Sequence, residues 1–304
     1  MKKTILATAI TALFAATTVQ AATVYEKDGT TVDVSGDIGI YAGNMISEDE
    51  GTLIAVDDAD IALDLAYDIG HDLTAISTLS YTVGDENGVE LDEAFVGISS
   101  ATWGTVTAGK QVTVYDDAGI GNDYQFGWTD FYSQDDGGDQ VIKYSLDTDM
   151  FYGAVAWLKN SSPEYAAGAN GLDAKIGARV ENLDVTLFFA DFEDSDGNDI
   201  TNINFEARYQ LDALELAAAF SVSENNDVDQ TAFGLAATYQ LNDKVQFSGG
   251  VANIDNDAED DAVIDYFVNA SYAFTSNVET YIELGGSDAD NTELGYAAGM
   301  IVSF

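Results

Sequence analysis

The chain has no cysteine, one proline and one histidine, and only 10 lysines and arginines stand against 54 aspartates and glutamates, for a formal net charge of −44. Without cysteine there are no disulfide frameworks, thiolate metal sites or cysteine nucleophiles. The single histidine, His71, provides no partner for a two-histidine metal motif and no second candidate for a catalytic base. So acidic a chain is no ligand for nucleic acid, which requires a basic surface. The one proline, Pro163, leaves hydrogen-bonded ladders almost uninterrupted. After the first 21 residues, no apolar run reaches the roughly 20 residues that a membrane helix needs.

What is present argues for a folded chain. Hydrophobic residues make up 46% of the sequence and aromatics 11%, too much apolar surface for a disordered acidic tail. The start reads as an export signal. Met1, Lys2 and Lys3 form a positive segment, Ile5 to Val19 an apolar one, and Val19-Gln20-Ala21 a small-residue cleavage site. Residues 1–21 are therefore expected to be removed, leaving 22–304 as the mature chain.

The mature sequence alternates with period two. Leu294, Tyr296, Ala298, Met300, Val302 and Phe304 share one parity, facing Glu293, Gly295, Ala297, Gly299 and Ser303 on the other, with Ile301 as the exception. Ile203, Phe205, Ala207, Tyr209 and Leu211 alternate with Asn202, Asn204, Glu206, Arg208 and Gln210. Leu172, Ala174, Ile176, Ala178 and Val180 alternate with Asp173, Lys175, Gly177 and Arg179. In a strand the two sets face opposite sides. Each segment has about ten residues, enough for a tilted strand to cross a hydrocarbon core.

The connections alternate as well. Short ones at Asp68–Asp72, Gln210–Ala213 and Leu241–Lys244 take turns with longer acidic ones at Phe192–Asp199, Ser223–Asp229 and Ile254–Asp261. Tight turns on one side and loops on the other describe a transmembrane antiparallel β-barrel, here of about sixteen strands. A secreted sandwich or β-helix also alternates, but lipid forbids an open sheet edge and forces closure with apolar residues outward.

Particular motifs then bring a family into view. The stretch Ala22 to Gly36, with its Tyr25-Glu26-Lys27-Asp28-Gly29 core, resembles the opening of Gram-negative general porins. Ala94-Phe95-Val96-Gly97-Ile98 and Trp103-Gly104-Thr105 through Gly109-Lys110-Gln111 are similar to their fourth and fifth strands. The end, with Tyr296, Met300, Val302 and the terminal Phe304, is similar to the signature read by the outer-membrane assembly machinery. The resemblance implies an all-β barrel in the outer membrane of a Gram-negative bacterium, a homotrimer amid lipid and lipopolysaccharide, with its third long loop folded into a water-filled lumen. It implies passage of ions and small hydrophilic solutes, with neither enzyme activity nor a cofactor.

By the same resemblance, the constriction loop falls at about 112–139. Asp116, Asp130, Asp135, Asp136 and Asp139 are its acidic candidates, and Lys110 is a cation of the wall. The wall itself departs from the family. Asp37 and Asp60 stand about where a lysine and an arginine are expected, so the basic side of the constriction is depleted. Lys143, Lys175, Arg179 and Arg208 are the remaining lumen cations, either free in the pore or paired with carboxylates such as Asp173 and Glu206. An excess of carboxylates predicts preference for cations.

Two other readings use different residues. Tyr115, Tyr124, Phe126, Trp128, Phe131 and Tyr132 all lie in the loop, either as a stacking track for oligosaccharides or as pins that hold the loop to the wall. The acidic loops suggest surface adhesion with divalent cations. Asp194-Ser195-Asp196-Gly197-Asn198-Asp199, however, lacks the sixth-position glycine and twelfth-position glutamate of a calcium loop, and no metal site is assigned.

Overall fold

The computed structural model describes residues 21–46, 51–84, 88–128, 131, 137–161, 168–194, 197–226, 228–258 and 261–304. Of the expected export signal at 1–21 only Ala21 is among the described residues, and Tyr132, Pro163 and three of the loop acids, Asp130, Asp135 and Asp136, also lie outside them.

Among the described residues, seventeen strands form one sheet. They are β1 (Ala22–Lys27), β2 (Thr30–Asn44), β3 (Leu53–Gly70), β4 (Leu73–Gly84), β5 (Gly88–Ser100), β6 (Gly104–Val112), β7 (Gly137–Asp147), β8 (Phe151–Lys159) and β9 (Asn170–Val180). The second half continues with β10 (Leu183–Glu193), β11 (Asp199–Leu211), β12 (Leu214–Asn225), β13 (Val228–Asn242), β14 (Val245–Asn256), β15 (Val263–Thr275), β16 (Val278–Ser287) and β17 (Gly295–Ser303). The sixteen strands from β2 to β17 each pair antiparallel with the next, and β17 returns onto β2 from Tyr296↔Asn44 to Ser303↔Asp37. β1 folds back as a short hairpin on the start of β2.

Closure is completed by the last residue. Gly36 and Phe304 exchange backbone hydrogen bonds of 3.1 and 2.9 Å. The Phe304 ring lies against Gly36, where a side-chain carbon would stand 2.9 Å from its Cζ. The terminal phenylalanine thus seals the seam between the first and last strands, so no backbone edge is left there for lipid to meet.

The two parities separate as the sequence requires. On β11, Ile203 and Phe205 remain 48% and 45% exposed on the outer face, whereas Asn202, Asn204 and Glu206 on the inner face are fully buried. Tyr296, Met300, Val302 and Phe304 likewise point outward. Polar groups inside and apolar ones outside invert the arrangement of a water-soluble core, as an aqueous lumen surrounded by lipid demands.

Short and long connections also segregate. Two residues, 71–72, join β3 to β4, and Gly70, His71 and Asp72 all carry positive φ, as such a tight turn needs. Asp72 accepts hydrogen bonds from the Ser100 hydroxyl (2.8 Å) and the Thr102 amide, tying this turn to the next; the Ser100 bond chiefly holds its carboxyl below the usual range. Several loops are shorter than the sequence suggests. β12 and β13 extend through Glu224↔Asp229 to Asn225↔Val228, leaving only residues 226–227 between them. Outside the bilayer, ladder pairing no longer requires an apolar outer face, so acidity there does not mark the strand end.

The fold predicts a depth-dependent penalty for charge on the outer face. Phe205→Arg, in the middle of β11, lowers the unfolding free energy by about 2–4 kcal/mol, and Glu224→Arg, near the end of β12, by less than about 1. Urea unfolding from phospholipid vesicles checks this, and equal losses at both positions would contradict the orientation.

Candidate functional site: a lumen crossed by one loop

Residues 113–136 join β6 to β7 and form the longest connection of the barrel. The loop turns inward because inner-face carboxylates accept its amides. Asp173 on β9 accepts the Tyr115 amide at 2.7 Å, and Glu206 on β11 accepts that of Gly119 at 2.8 Å. Glu283 on β16 takes three in succession, from Tyr124 (3.0 Å), Gln125 (2.5 Å) and Phe126 (3.1 Å). Asn269 on β15 supplies a fourth donor to Glu283 at 3.0 Å and also bonds the Asn122 carbonyl at 2.6 Å. The three carboxylates are almost wholly buried. Burying them is costly unless charge-assisted bonds compensate, and the loop amides supply those bonds.

Aromatic contacts follow the same course. Tyr115 packs edge-on against Phe188 of β10, with centroids 5.8 Å apart. The Tyr124 ring stacks on that of Tyr281 at 3.9 Å, and its hydroxyl donates to Glu279 at 2.7 Å. Burial raises the pKa of both loop tyrosines, Tyr115 and Tyr124. Phe126 and Phe131 are buried, and Trp128 packs against Phe131 and Phe267. At the tip, Gln125 Nε2 reaches across to Asp57 of β3 at 2.7 Å. The loop therefore runs along the inner wall from β9 to β16, and its tip bonds a side chain of β3.

Basic residues of the wall are engaged with neighbours. Lys175 of β9 pairs with Asp117 of the loop. Arg179 pairs with Asp147 at 2.6 Å and Asp184 at 3.4 Å. Arg208 pairs with Glu206 at 3.0 Å and bonds the Gly119 carbonyl. Lys143 donates to the Val112 carbonyl at 2.9 Å. Each of these cations holds loop to wall or strand to strand.

The opposite wall carries acids. Across β2 and β3, Asp33 faces Asp64 and Asp37 faces Asp60 as direct cross-strand partners, on the parity opposite to outward Ile38, Ile61 and Leu63. Asp58 pairs with Gly39, and Asp57 sits at the bulge beside it. Asp33 accepts from Thr23 and Asp64 from Thr78, but among the described residues none of these six aspartates takes part in an ion pair. Like charges directly opposite each other are unfavourable in a sheet, and Asp60 Oδ1 is in addition buried without a hydrogen-bond partner among the described residues.

The candidates from sequence scatter more widely than one ring. Asp37 and Asp60 face each other across the lumen wall, and Asp116 lies exposed on the first turn of the loop. Asp139 belongs to β7, not to the loop, because Gly137 and Gly138 already pair with Val112 and Gln111; its carboxylate accepts from Ser161 at 2.6 Å. Lys110 shares the register of outward Val106 and Ala108, not that of inner Thr107 and Gln111, and its ammonium bonds the Leu91 carbonyl. Lys143, Lys175, Arg179 and Arg208 occupy the inner parity. Glu283 escaped the sequence reading although its signal was present, an acid between outward Ile282 and Leu284.

A closed antiparallel barrel with an apolar exterior, a polar lumen and a loop lying along that lumen defines an outer-membrane channel protein. The family model described as Gram-negative porin matches residues 7–292, and the chain belongs to that family, whose members are channels and not enzymes. Porin-like protein H of Photobacterium profundum is 32% identical over the full length of both chains. A monosaccharide porin of a Halomonas species is 27% identical over 96% of this chain and 82% of its own. Among solved structures, the trimer form of OmpT from Vibrio cholerae superposes with a TM-score of 0.78 at 19% identity, covering 91% of this chain and all of that one.

Two outcomes test the loop's anchorage. Glu283→Gln keeps one acceptor oxygen but turns an amino group toward loop amides, so about 2 kcal/mol of charge-assisted bonding is lost. Single-channel records of the variant then show frequent partial closures; a variant trace as quiet as wild type would contradict the anchor. Asp123, in the loop, has its carboxyl raised by burial and then by the charge of Glu283. A raised carboxyl makes ionisation costly in the folded state, a cost absent at low pH and developing as pH rises from the ordinary carboxylate value through the raised one. Asp123→Asn is therefore stabilising at pH 7 relative to wild type and loses that advantage near pH 3, as urea unfolding at the two pH values shows.

Proposed function

We propose that this porin is a cation-preferring pore for passive diffusion of ions and small hydrophilic solutes, assembled as a homotrimer. The observation that carries the reading is the imbalance across the lumen. Lys175, Arg179 and Arg208 are spent on carboxylate partners and Lys143 on a carbonyl. The aspartates of β2 and β3 remain without ion pairs among the described residues. A unit charge about 8 Å from a permeating ion contributes roughly 0.5 kcal/mol at the dielectric of water, and the screening length at physiological salt is about the same distance. Three or four such carboxylates bias occupancy by about 1–2 kcal/mol, close to ten-fold in favour of cations. Trimeric assembly is supported by the likeness to the OmpT trimer form.

The neutral cargo of such a pore includes small sugars, a reading supported by the similarity to a protein named as a monosaccharide porin. An oligosaccharide track built from the loop aromatics has less support. Phe126, Phe131 and Tyr115 are buried against the wall and Tyr124 is covered on one face by Tyr281, so they act as pins.

Reversal potentials in a planar bilayer under a salt gradient test the proposal. Wild type reverses on the cation-selective side, and Asp37→Asn with Asp60→Asn lowers the cation-to-anion permeability ratio by at least about two-fold, since both charges lie on the lumen wall. An unchanged ratio in the double variant would remove these residues from the selectivity determinant.

A further inference from the structure

Behind the loop tip the inner wall lacks side chains at four positions, and loop rings fill the space. Gly285 of β16 and Gly295 of β17 are direct cross-strand partners. Phe126 lies over both. A side-chain carbon at Gly285 would stand 2.5 Å from its Cγ, and one at Gly295 2.5 Å from its Cε1. Trp128 occupies a second hollow, where a carbon at Gly234 of β13 would stand 2.6 Å from Cη2 and one at Gly250 of β14 2.8 Å from Cζ2.

Backbone conformation does not explain these glycines. None of the four has positive φ, so any residue would fit the chain path. Glycine in a strand interior weakens the strand relative to alanine, and it marks places where another group approaches closely. Here the approaching groups are rings of the loop, joined at Gly250 by the Phe267 ring of β15, whose Cε1 would stand 2.7 Å away. Carbon atoms rest about 3.5–4.0 Å apart, so a single methyl at any of these positions displaces its ring by about 1 Å or forces the strand outward. The strand is held on both sides by ladder bonds, whereas the ring belongs to a loop with open lumen beyond it.

We propose that the two glycine pairs, Gly285 with Gly295 and Gly234 with Gly250, are sockets that set how deeply the loop seats against the wall, and hence the width of the passage. They are specificity-determining positions for solute size that touch no solute. The inference rests on the pore reading above. Amide bonds to Glu283 fix the loop along the wall, and the sockets fix its distance from the wall. Pore width is thus encoded behind the loop as well as on the surface that solutes meet.

The test combines single-channel conductance with swelling rates of liposomes in neutral sugars of increasing size. Gly285→Ala and Gly234→Ala each lower conductance by about a third or more and slow the larger sugars more than the smaller. Adding Phe126→Ala to Gly285→Ala makes room for the methyl and restores conductance toward wild type. Gly153→Ala on β8, whose side chain would point away from the lumen, changes neither readout, and heat-modifiable migration on gels confirms that each barrel is folded. Wild-type conductance in folded Gly285→Ala and Gly234→Ala, or a loss that Phe126→Ala does not reverse, would overturn the sockets and leave the pore intact. Absence of conductance in folded wild type would instead overturn the pore reading, and the sockets with it.

Discussion

A peptide group in the hydrocarbon core of a bilayer finds no hydrogen-bond partner except another peptide group, and the rest of this structure follows from that constraint. The sheet must close, so β17 returns to β2 and Phe304 completes the seam with Gly36. Every spanning strand must present apolar groups outward, which gives the chain its period of two. What the exterior loses in polar groups the interior gains. A closed sheet facing lipid on one side and water on the other therefore arrives with a lumen rich in carboxylates, amides and hydroxyls.

That interior is then divided between structure and transport. Asp173, Glu206 and Glu283 are buried and hold the backbone of the inward loop. The basic residues of β7, β9 and β11 serve the same side of the barrel, pairing loop to wall and strand to strand. The β2 and β3 wall opposes this arrangement with paired aspartates that no ion pair neutralises among the described residues. The proposed cation preference rests on where the cations are already committed, because only charge left over after the loop is held remains to act on a passing ion.

Much of the architecture was legible in the sequence because lipid imposes so strict a pattern. The alternation at Ile203–Leu211 and Leu172–Val180 gave both strands and their faces, and the tight turn at Asp68–Asp72 marked the join between β3 and β4. Where lipid no longer acts, the reading weakened: Ser223 to Asp229 looked like a loop and is mostly strand. The site was less legible still. Lys175, Arg179 and Arg208 lie on the parity read from sequence, and Glu206, named there as a partner, pairs with Arg208, but the partners of Lys175 and Arg179, namely Asp117, Asp147 and Asp184, come from other strands or from the loop. Lys110 was assigned to the wall by the family motif, and its register with Val106 and Ala108 places it elsewhere. Glu283 and the glycines under Phe126 and Trp128 have meaning only once the loop is seen against the wall.

The central claim is that uncompensated carboxylates on the lumen wall govern which small solutes pass. The most direct measurement is the uptake into proteoliposomes of three solutes of equal size, one cationic, one neutral and one anionic, at low and at high ionic strength. The account predicts the order cation, neutral, anion at low salt, with the differences shrinking as salt shortens the screening length. Anion uptake equal to or faster than neutral uptake at low salt would contradict it.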